Sequence, residues 1–218
     1  MTRLFVAGTD TDVGKTRVSV ALIQLLKSSG VEVAAMKPVA SGCDITAEGL
    51  RNDDALQLIE QATVALPYEV VNPYAFKPAV APHIAAEQVG VEIEMAVIKQ
   101  QFDVIAQQAE GVIVEGAGGW LVPIGGGMTL ADVAVTLDLP VVLVIGIRLG
   151  CINHALLTIE SIKRSGLPLY GWVANHTEHC AESDAIIATL KPMIDSPCLG
   201  VVPVLSKTEP VTDLSLLD

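Results

Sequence analysis

An apolar run, Arg3-Leu4-Phe5-Val6-Ala7, leads into Gly8-Thr9-Asp10-Thr11-Asp12-Val13-Gly14-Lys15-Thr16, and an amphipathic pattern follows at once. Val18, Leu22, Leu25 and Leu26 fall on one helical face, so the segment reads as a buried strand, a tight loop and a helix beginning near Lys15. A loop ending in Gly-Lys-Thr at a helix start aims backbone N–H groups outward at the positive end of the helix, which suits a phosphate. In such a loop Lys15 reaches the β/γ-phosphates and the Thr16 hydroxyl meets Mg²⁺. The loop is a variant: the usual glycine five residues before the second glycine is Thr9, and Gly8 stands one place earlier. Asp10 and Asp12 put two carboxylates into a loop built for a polyanion, which implies that something cationic also comes close.

The rest of the chain alternates in the same way. Apolar runs at Leu4–Ala7, Val33–Lys37, Val112–Glu115, Val141–Ile147, Leu169–Asn175 and Leu199–Val202 read as strands. Helical patterns fall near Lys15–Ser28, Asp53–Gln61, Ile93–Gln107, Leu130–Leu137, Asn153–Ser165 and Ser183–Met193. This alternation predicts one α/β domain over residues 1–218, a doubly wound, mostly parallel sheet flanked by helices. The composition agrees, since 51% of residues are hydrophobic but only 4% aromatic, as in strands of Val, Ile and Leu covered on both faces. Two long connections, Pro38 to Asn52 and Asn72 to Pro82, are expected to be functional. The polar tail after Ser206 is expected to be poorly ordered.

A net charge of −12 argues against a nucleic-acid or anionic membrane surface, so a nucleotide site must be locally basic within an acidic shell. Cys43, Cys151, Cys180 and Cys198 lack metal-site or disulfide-framework spacing. There is no signal-peptide pattern and no apolar run long enough to span a bilayer, so a cytoplasmic protein is expected.

Ligands of such sheets lie at the carboxyl ends of the strands, and chemistry-bearing residues collect there. Glu115 ends an apolar strand before Gly116-Ala117-Gly118-Gly119 and reads as a Mg²⁺ ligand or a water-mediated partner of one. Lys37 ends another strand; it is either a solvated strand end or a cation for a transferring phosphoryl group, with the Ser41 hydroxyl on the same loop. Either Asn52 or Asp53 caps the following helix, which leaves Asp54 free to help hold a metal. The run Gly146-Ile147-Arg148-Leu149-Gly150-Cys151-Ile152-Asn153-His154 opens a helix whose free N–H groups suit a carboxylate. Cys151 and His154 have no partner pattern for catalysis and read as structural. Asn175 offers a donor and an acceptor that suit the edge of adenine.

Taken together, Gly8–Thr16, Lys37-Pro38-Val39-Ala40-Ser41-Gly42, Arg51-Asn52-Asp53-Asp54-Ala55, Val71-Asn72-Pro73-Tyr74, Pro82-His83, Glu115–Gly119, Leu149–His154 and Gly171-Trp172-Val173-Ala174-Asn175 resemble the dethiobiotin synthetase family in order and spacing. The resemblance implies a homodimeric, Mg-ATP-dependent ligase of biotin biosynthesis that acts on 7,8-diaminopelargonic acid with CO₂ as the carbon source. It implies a metal set of Thr16, Asp54 and Glu115, and catalytic roles for Lys37 and Lys15. The implied nucleotide site takes in Asp12, Val13, Gly14, Lys15, Thr16, Arg17, Asp54, Glu115, Gly116, Ala117 and Gly118. Its base pocket comprises Asn175, His176 and the Pro203-Val204-Leu205 turn. Thr11 and Ser41 resemble substrate contacts, and Gly150, Cys151, Ile152 and Asn153 would bind the substrate carboxylate from the neighbouring subunit. The chain departs from the pattern at Asp12, where many relatives have Glu, and across 176–188, which holds no Tyr. The rival reading is a partition- or septum-site-type switch ATPase; those proteins carry a signature lysine where this chain has Asp10.

Overall fold

The structure is a computed structural model describing residues 1–206, 209–212 and 214–216. In chain order it runs β1 (Arg3–Gly8), α1 (Lys15–Ser28), β2 (Val33–Met36), β3 (Val39–Ala40), β4 (Asp44–Thr46), β5 (Gly49–Arg51) and α2 (Asp53–Gln61). Next come α3 (Tyr68–Val71), β6 (Tyr74–Ala75), α4 (Pro82–Gln88), α5 (Met95–Gln108), β7 (Gly111–Glu115), β8 (Pro123–Gly125) and β9 (Met128–Thr129). The chain finishes with α6 (Leu130–Leu137), β10 (Val141–Gly146), α7 (Cys151–Arg164), β11 (Leu169–Asn175), α8 (Ser183–Met193) and β12 (Cys198–Val202).

The six expected strands form one sheet, ordered β12-β11-β10-β1-β7-β2, and all its pairings are parallel. Successive side chains point to opposite faces, and both faces are apolar because helices cover both. Leu4, Val6, Ile113 and Val144 bury against Val18, Leu22 and Leu58 of α1 and α2. Phe5, Val114, Leu143 and Trp172 bury on the other side with Ile105 of α5, Val133 of α6 and Ile159 of α7.

This strand order makes β1 the switch point, with β7 on one side and β10 on the other. The loop after β1 therefore emerges beside the carboxyl ends of both neighbours, Glu115 of β7 and Gly146 of β10.

Four helices begin and end where the hydrophobic period places them. Helix α7 starts two residues before the expected Asn153, because Gly150 takes a left-handed conformation (φ 91°) from which the helix begins at Cys151. Helix α5 is shifted to start at Met95. Strand β2 stops at Met36 because the Lys37 N–H turns away to the Val71 carbonyl at 2.9 Å.

The two long connections carry short elements that no periodicity announces. The first contains β3 and the β4–β5 hairpin, the second β6, and β3 pairs with β6 through Val39↔Tyr74 and Ala40↔Ala75, fastening the connections together.

Part of the tail expected to be poorly ordered (207, 208, 213, 217 and 218) lies outside the described residues. Among the described ones, Leu214 is buried and bridges Gly200, and the Ser215 N–H donates to the Leu199 carbonyl at 2.9 Å. No helix among the described residues is long and apolar enough to cross a membrane.

Candidate active site

The loop from Gly8 to Thr16 is held from inside. Asp12 (φ 56°) and Gly14 (φ 88°) adopt left-handed backbone, which Asp tolerates and Gly favours. Gly14 has a second reason to lack a side chain. A Cβ there would lie 2.1 Å from the Asn175 Nδ2, which donates to the Val13 carbonyl at 2.7 Å from the end of β11. Asn175 is thus a strut of the loop. Its donor is committed, and its buried Oδ1 has no hydrogen-bond partner among the described residues.

Asp10 is a strut as well. One carboxylate oxygen accepts from the Thr11 N–H at 2.8 Å, and the other accepts from the Arg148 guanidinium at 2.5 Å. The cation implied by Asp10 is therefore supplied within the chain, by the segment that follows β10. Asp12 differs: its side chain is exposed and lines the cavity in front of the loop.

That cavity, of about 810 Å³, is lined on one side by Thr11, Asp12, Gly14, Lys15 and Thr16, and on the other by Lys37, Ser41, Asn52 and Asp54. Ala117, Gly118 and Val122 close one end, and Ala79, Val80, Ala81 and Pro82 of the second long connection form an apolar wall. Both long connections thus reach the cavity.

At its floor lies a buried charge cluster. The Lys37 ammonium donates to Glu115 Oε1 at 2.6 Å, to Asp54 Oδ2 at 2.9 Å and to the Gly116 carbonyl at 3.2 Å. Lys37 is 3% exposed and Glu115 is fully buried. The Thr16 hydroxyl donates to the same Glu115 oxygen at 2.9 Å. The other oxygen, Oε2, is buried with no hydrogen-bond partner among the described residues.

Burial works against the Lys37 charge, but the Glu115 and Asp54 carboxylates outweigh it and raise its pKa. Burial likewise opposes ionised Asp54, yet Lys37, with Thr16 and Lys15 behind it, holds the carboxyl below its usual range. Lys15 fares differently. Burial and the neighbouring Lys37 ammonium lower its pKa to about 8, and its Nζ donates to the Asp10 carbonyl at 3.1 Å.

Asn52 is the cap of α2, its Oδ1 accepting from the Ala55 N–H at 3.1 Å, which leaves Asp54 free in the first turn. Among the described residues no three His, Cys, Asp or Glu side chains are grouped to hold a metal alone. Magnesium in nucleotide sites needs no such cage, since one or two carboxylates, phosphate oxygens and water complete its shell. The orphaned Glu115 Oε2, the Thr16 hydroxyl and the half-exposed Asp54 carboxylate fit that pattern.

Other expected site residues stand further out. Arg17 donates to the Leu205 and Ser206 carbonyls at 3.2 and 2.7 Å, tying α1 to the turn that carries Pro203, Val204 and Leu205. The His176 N–H bonds the Val202 carbonyl, which holds that residue beside the same turn. Gly150, Cys151, Ile152 and Asn153 do not line the cavity of their own chain. The Cys151 side chain is buried in the core and its N–H donates to the Arg148 carbonyl, whereas Asn153 is exposed.

A strand–loop–helix phosphate cradle at the switch point of a parallel sheet defines a phosphate-loop nucleotide-binding protein. Solved structures of this fold include the cell-division protein MinD in the MinC:MinD complex of Aquifex aeolicus (TM-score 0.56, 18% identity, 95% of this chain and 83% of that one). The signal recognition particle receptor FtsY of Elizabethkingia anophelis is also similar (TM-score 0.53, 17% identity), with the whole of this chain spanning 62% of its length. The family described as AAA domain matches residues 2–212. Among curated relatives, the ATP-dependent dethiobiotin synthetase BioD of Pseudomonas aeruginosa is 50% identical over 220 residues, covering 100% of this chain and 96% of the relative. The enzyme of the same name from Chromohalobacter salexigens is 45% identical, covering 96% and 93%. The chain belongs to the ATP-dependent dethiobiotin synthetase family and is an ATP-dependent ligase of biotin biosynthesis.

Proposed function

We propose that the chain closes the cyclic urea of dethiobiotin from 7,8-diaminopelargonic acid, CO₂ and ATP, and that the cavity between the phosphate loop and Lys37 is where it does so. The observation that carries this reading is the pairing of two lysines of different environment, Lys15 and Lys37, across one cavity walled by Ser41 and the loop, with Lys37 anchored to the buried Glu115.

In this reading one substrate amine adds to CO₂ and loses a proton to give a carbamate. A carbamate oxygen then attacks the γ-phosphorus of ATP, and the bond to the β–γ bridging oxygen breaks to release ADP. The second amine attacks the carbonyl of the mixed anhydride, the carbon–oxygen bond to phosphate breaks, and the ring closes with loss of phosphate and a proton. Each step develops charge on oxygen, so positioned cations and backbone donors suffice and no enzymic nucleophile is required. Lys15 and the loop N–H groups hold the phosphates, and Lys37 stabilises the transferring group from the opposite side. Magnesium bound by Thr16, Glu115 and Asp54 would neutralise charge on the β- and γ-phosphate oxygens. Thr11 and Ser41 orient the diamine end, and the apolar wall at Ala79–Pro82 receives the hydrocarbon.

The Gly150–Asn153 segment would meet the substrate carboxylate of a second copy in a homodimer, a reading supported by its absence from its own chain's cavity and by the 97% exposure of Leu149 beside it. Pro203, Val204, Leu205, His176 and the free Asn175 Oδ1 would surround the base. The switch-ATPase reading has less support, because the residue at the signature position is an Asp already bound by Arg148.

The test is direct. Incubation with 7,8-diaminopelargonic acid, bicarbonate and Mg-ATP should yield dethiobiotin by mass, with ATP hydrolysis dependent on both diamine and CO₂. Rapid hydrolysis without the diamine would overturn the reading. Lys37→Gln should lower turnover about 10²–10³-fold while nucleotide still binds.

A further inference from the structure

Lys37 and Asp54 belong to different elements, one at the end of β2 and the other in the first turn of α2, with 16 residues between them. Something must hold these two elements in register for the ammonium and carboxylate to meet at 2.9 Å. Helix α3, a single turn that no hydrophobic pattern announced, supplies it. The Val71 carbonyl accepts from the Lys37 N–H at 2.9 Å, and the Asn72 Nδ2 donates to the Lys37 carbonyl at 2.6 Å. Both backbone groups of Lys37 are thus bound by adjacent residues at the end of α3.

The same short helix reaches the other partner. The Tyr68 hydroxyl donates to the Asn72 Oδ1 at 2.8 Å and accepts from the backbone N–H of Asn52, also at 2.8 Å. Asn52 is the cap of α2, two residues before Asp54. Asn72 and Asn52 are both buried, and the Arg51 guanidinium covers the Tyr68 ring at 4.1 Å. One phenol therefore closes an uninterrupted series of hydrogen bonds from the Lys37 carbonyl through Asn72 to the start of the helix bearing Asp54.

We infer that Tyr68 and Asn72 are positioning residues for the reaction, a buried hydrogen-bond relay that sets the separation of Lys37 and Asp54 across the cavity. The inference rests on the roles proposed above for those two charged groups. Two features favour positioning over simple packing. The hydroxyl uses both a donor and an acceptor, and the series it joins ends on the Asn52 N–H at one side and, through the Asn72 side chain, on the Lys37 carbonyl at the other. Partners of this kind fix ligands and charged groups to a fraction of an ångström, and their removal lowers activity about 10–100-fold.

The experiment compares Tyr68→Phe, Asn72→Ala, the double variant and Lys37→Gln in the full chain, reading kcat, KM for ATP and thermal unfolding. Phe keeps the ring beneath Arg51 and removes only the hydroxyl. We expect kcat of Tyr68→Phe to fall about 10–100-fold, with a smaller change in KM for ATP, because the phosphate loop itself is untouched. The double variant should be no slower than the slower single one, since both interrupt one relay. A Tyr68→Phe enzyme that keeps kcat within about twofold, or a double variant whose losses multiply, overturns the relay. If Asn72→Ala does not fold, Tyr68→Phe alone decides by the same kcat criterion. Lys37→Gln separates the failures: turnover lost there but kept in Tyr68→Phe rejects the relay alone. Turnover kept in both rejects the site reading beneath it too.

Discussion

Lys37 and Glu115 form an ion pair of 2.6 Å between the carboxyl ends of adjacent strands, with almost no exposure of either side chain. A pair this dry is held by geometry as much as by charge. Lys37 has three acceptors and Glu115 Oε1 two donors, so most of the desolvation is offset by hydrogen bonds. Glu115 Oε2 is where it is not: that oxygen is buried with no hydrogen-bond partner among the described residues.

Removal of one member should therefore be costly. Lys37→Met leaves a buried carboxylate without its cation and is expected to destabilise the apo protein by about 3–5 kcal/mol. Adding Glu115→Leu should recover most of that loss, although both variants are expected to turn over far more slowly than the parent. Urea denaturation of the two variants is the check, and a double variant no more stable than Lys37→Met would contradict it.

Asp10 and Arg148 make the opposite case. Both side chains are close to half exposed, so their pair is screened by solvent and is expected to contribute only about 0.2–1 kcal/mol. Asp10→Ala and Arg148→Ala should each shift the unfolding midpoint slightly, and the double variant no more than the larger single one. The effect should shrink in high salt. Additive losses in a double-mutant cycle would show that the two residues act separately.

How far the sequence discloses this site depends on the range of the interactions involved. The six sheet strands, and helices such as α1 and α6, follow from apolar period alone, because each buries a continuous stripe or both faces. Lys15, Thr16, Lys37 and Glu115 were legible as loop or strand-end residues and Asp54 as a free acid at a helix start, and the fold brings all five together. The partner of Asp10 was not legible, since Arg148 lies 138 residues away and nothing local marks it. Asn175 read as a base contact from its place at a strand end, but its donor proves to brace Val13. Helix α3 and the β3–β6 pairing were invisible for a different reason: elements of four and two residues carry no period.

Gly14 is fixed by two independent constraints, and they can be separated. Gly14→Ala places a Cβ against Asn175 Nδ2 and forces a left-handed backbone that costs about 1–2 kcal/mol for a residue with a side chain. Nucleotide affinity should fall by at least about tenfold, equivalent to about 1.4 kcal/mol. Asn175→Ala removes the clash but not the backbone strain, so Gly14→Ala should cost less affinity in the Asn175→Ala background than in the parent, but still cost some. Isothermal titration with a non-hydrolysable ATP analogue measures all four proteins, and a double variant binding as tightly as Asn175→Ala alone would show that backbone strain contributes nothing.

The lowered pKa of Lys15, about 8, gives nucleotide binding a pH dependence of defined sign. Without ligand, half the Lys15 side chains are neutral near pH 8, and a bound triphosphate favours the charged form. Binding should therefore take up a proton between about pH 7.5 and 9, and affinity should fall as pH rises through that window, by up to a decade per unit. Stability of the apo protein moves the other way. The folded pKa lies below the unfolded value of 10.5, so the unfolded chain binds more protons between the two, and this group adds stability as pH rises from about 8. Titration calorimetry in two buffers of different ionisation enthalpy measures the proton uptake, and Lys15→Met should abolish it. Proton release on binding, or uptake that persists in Lys15→Met, would assign the titration to another group.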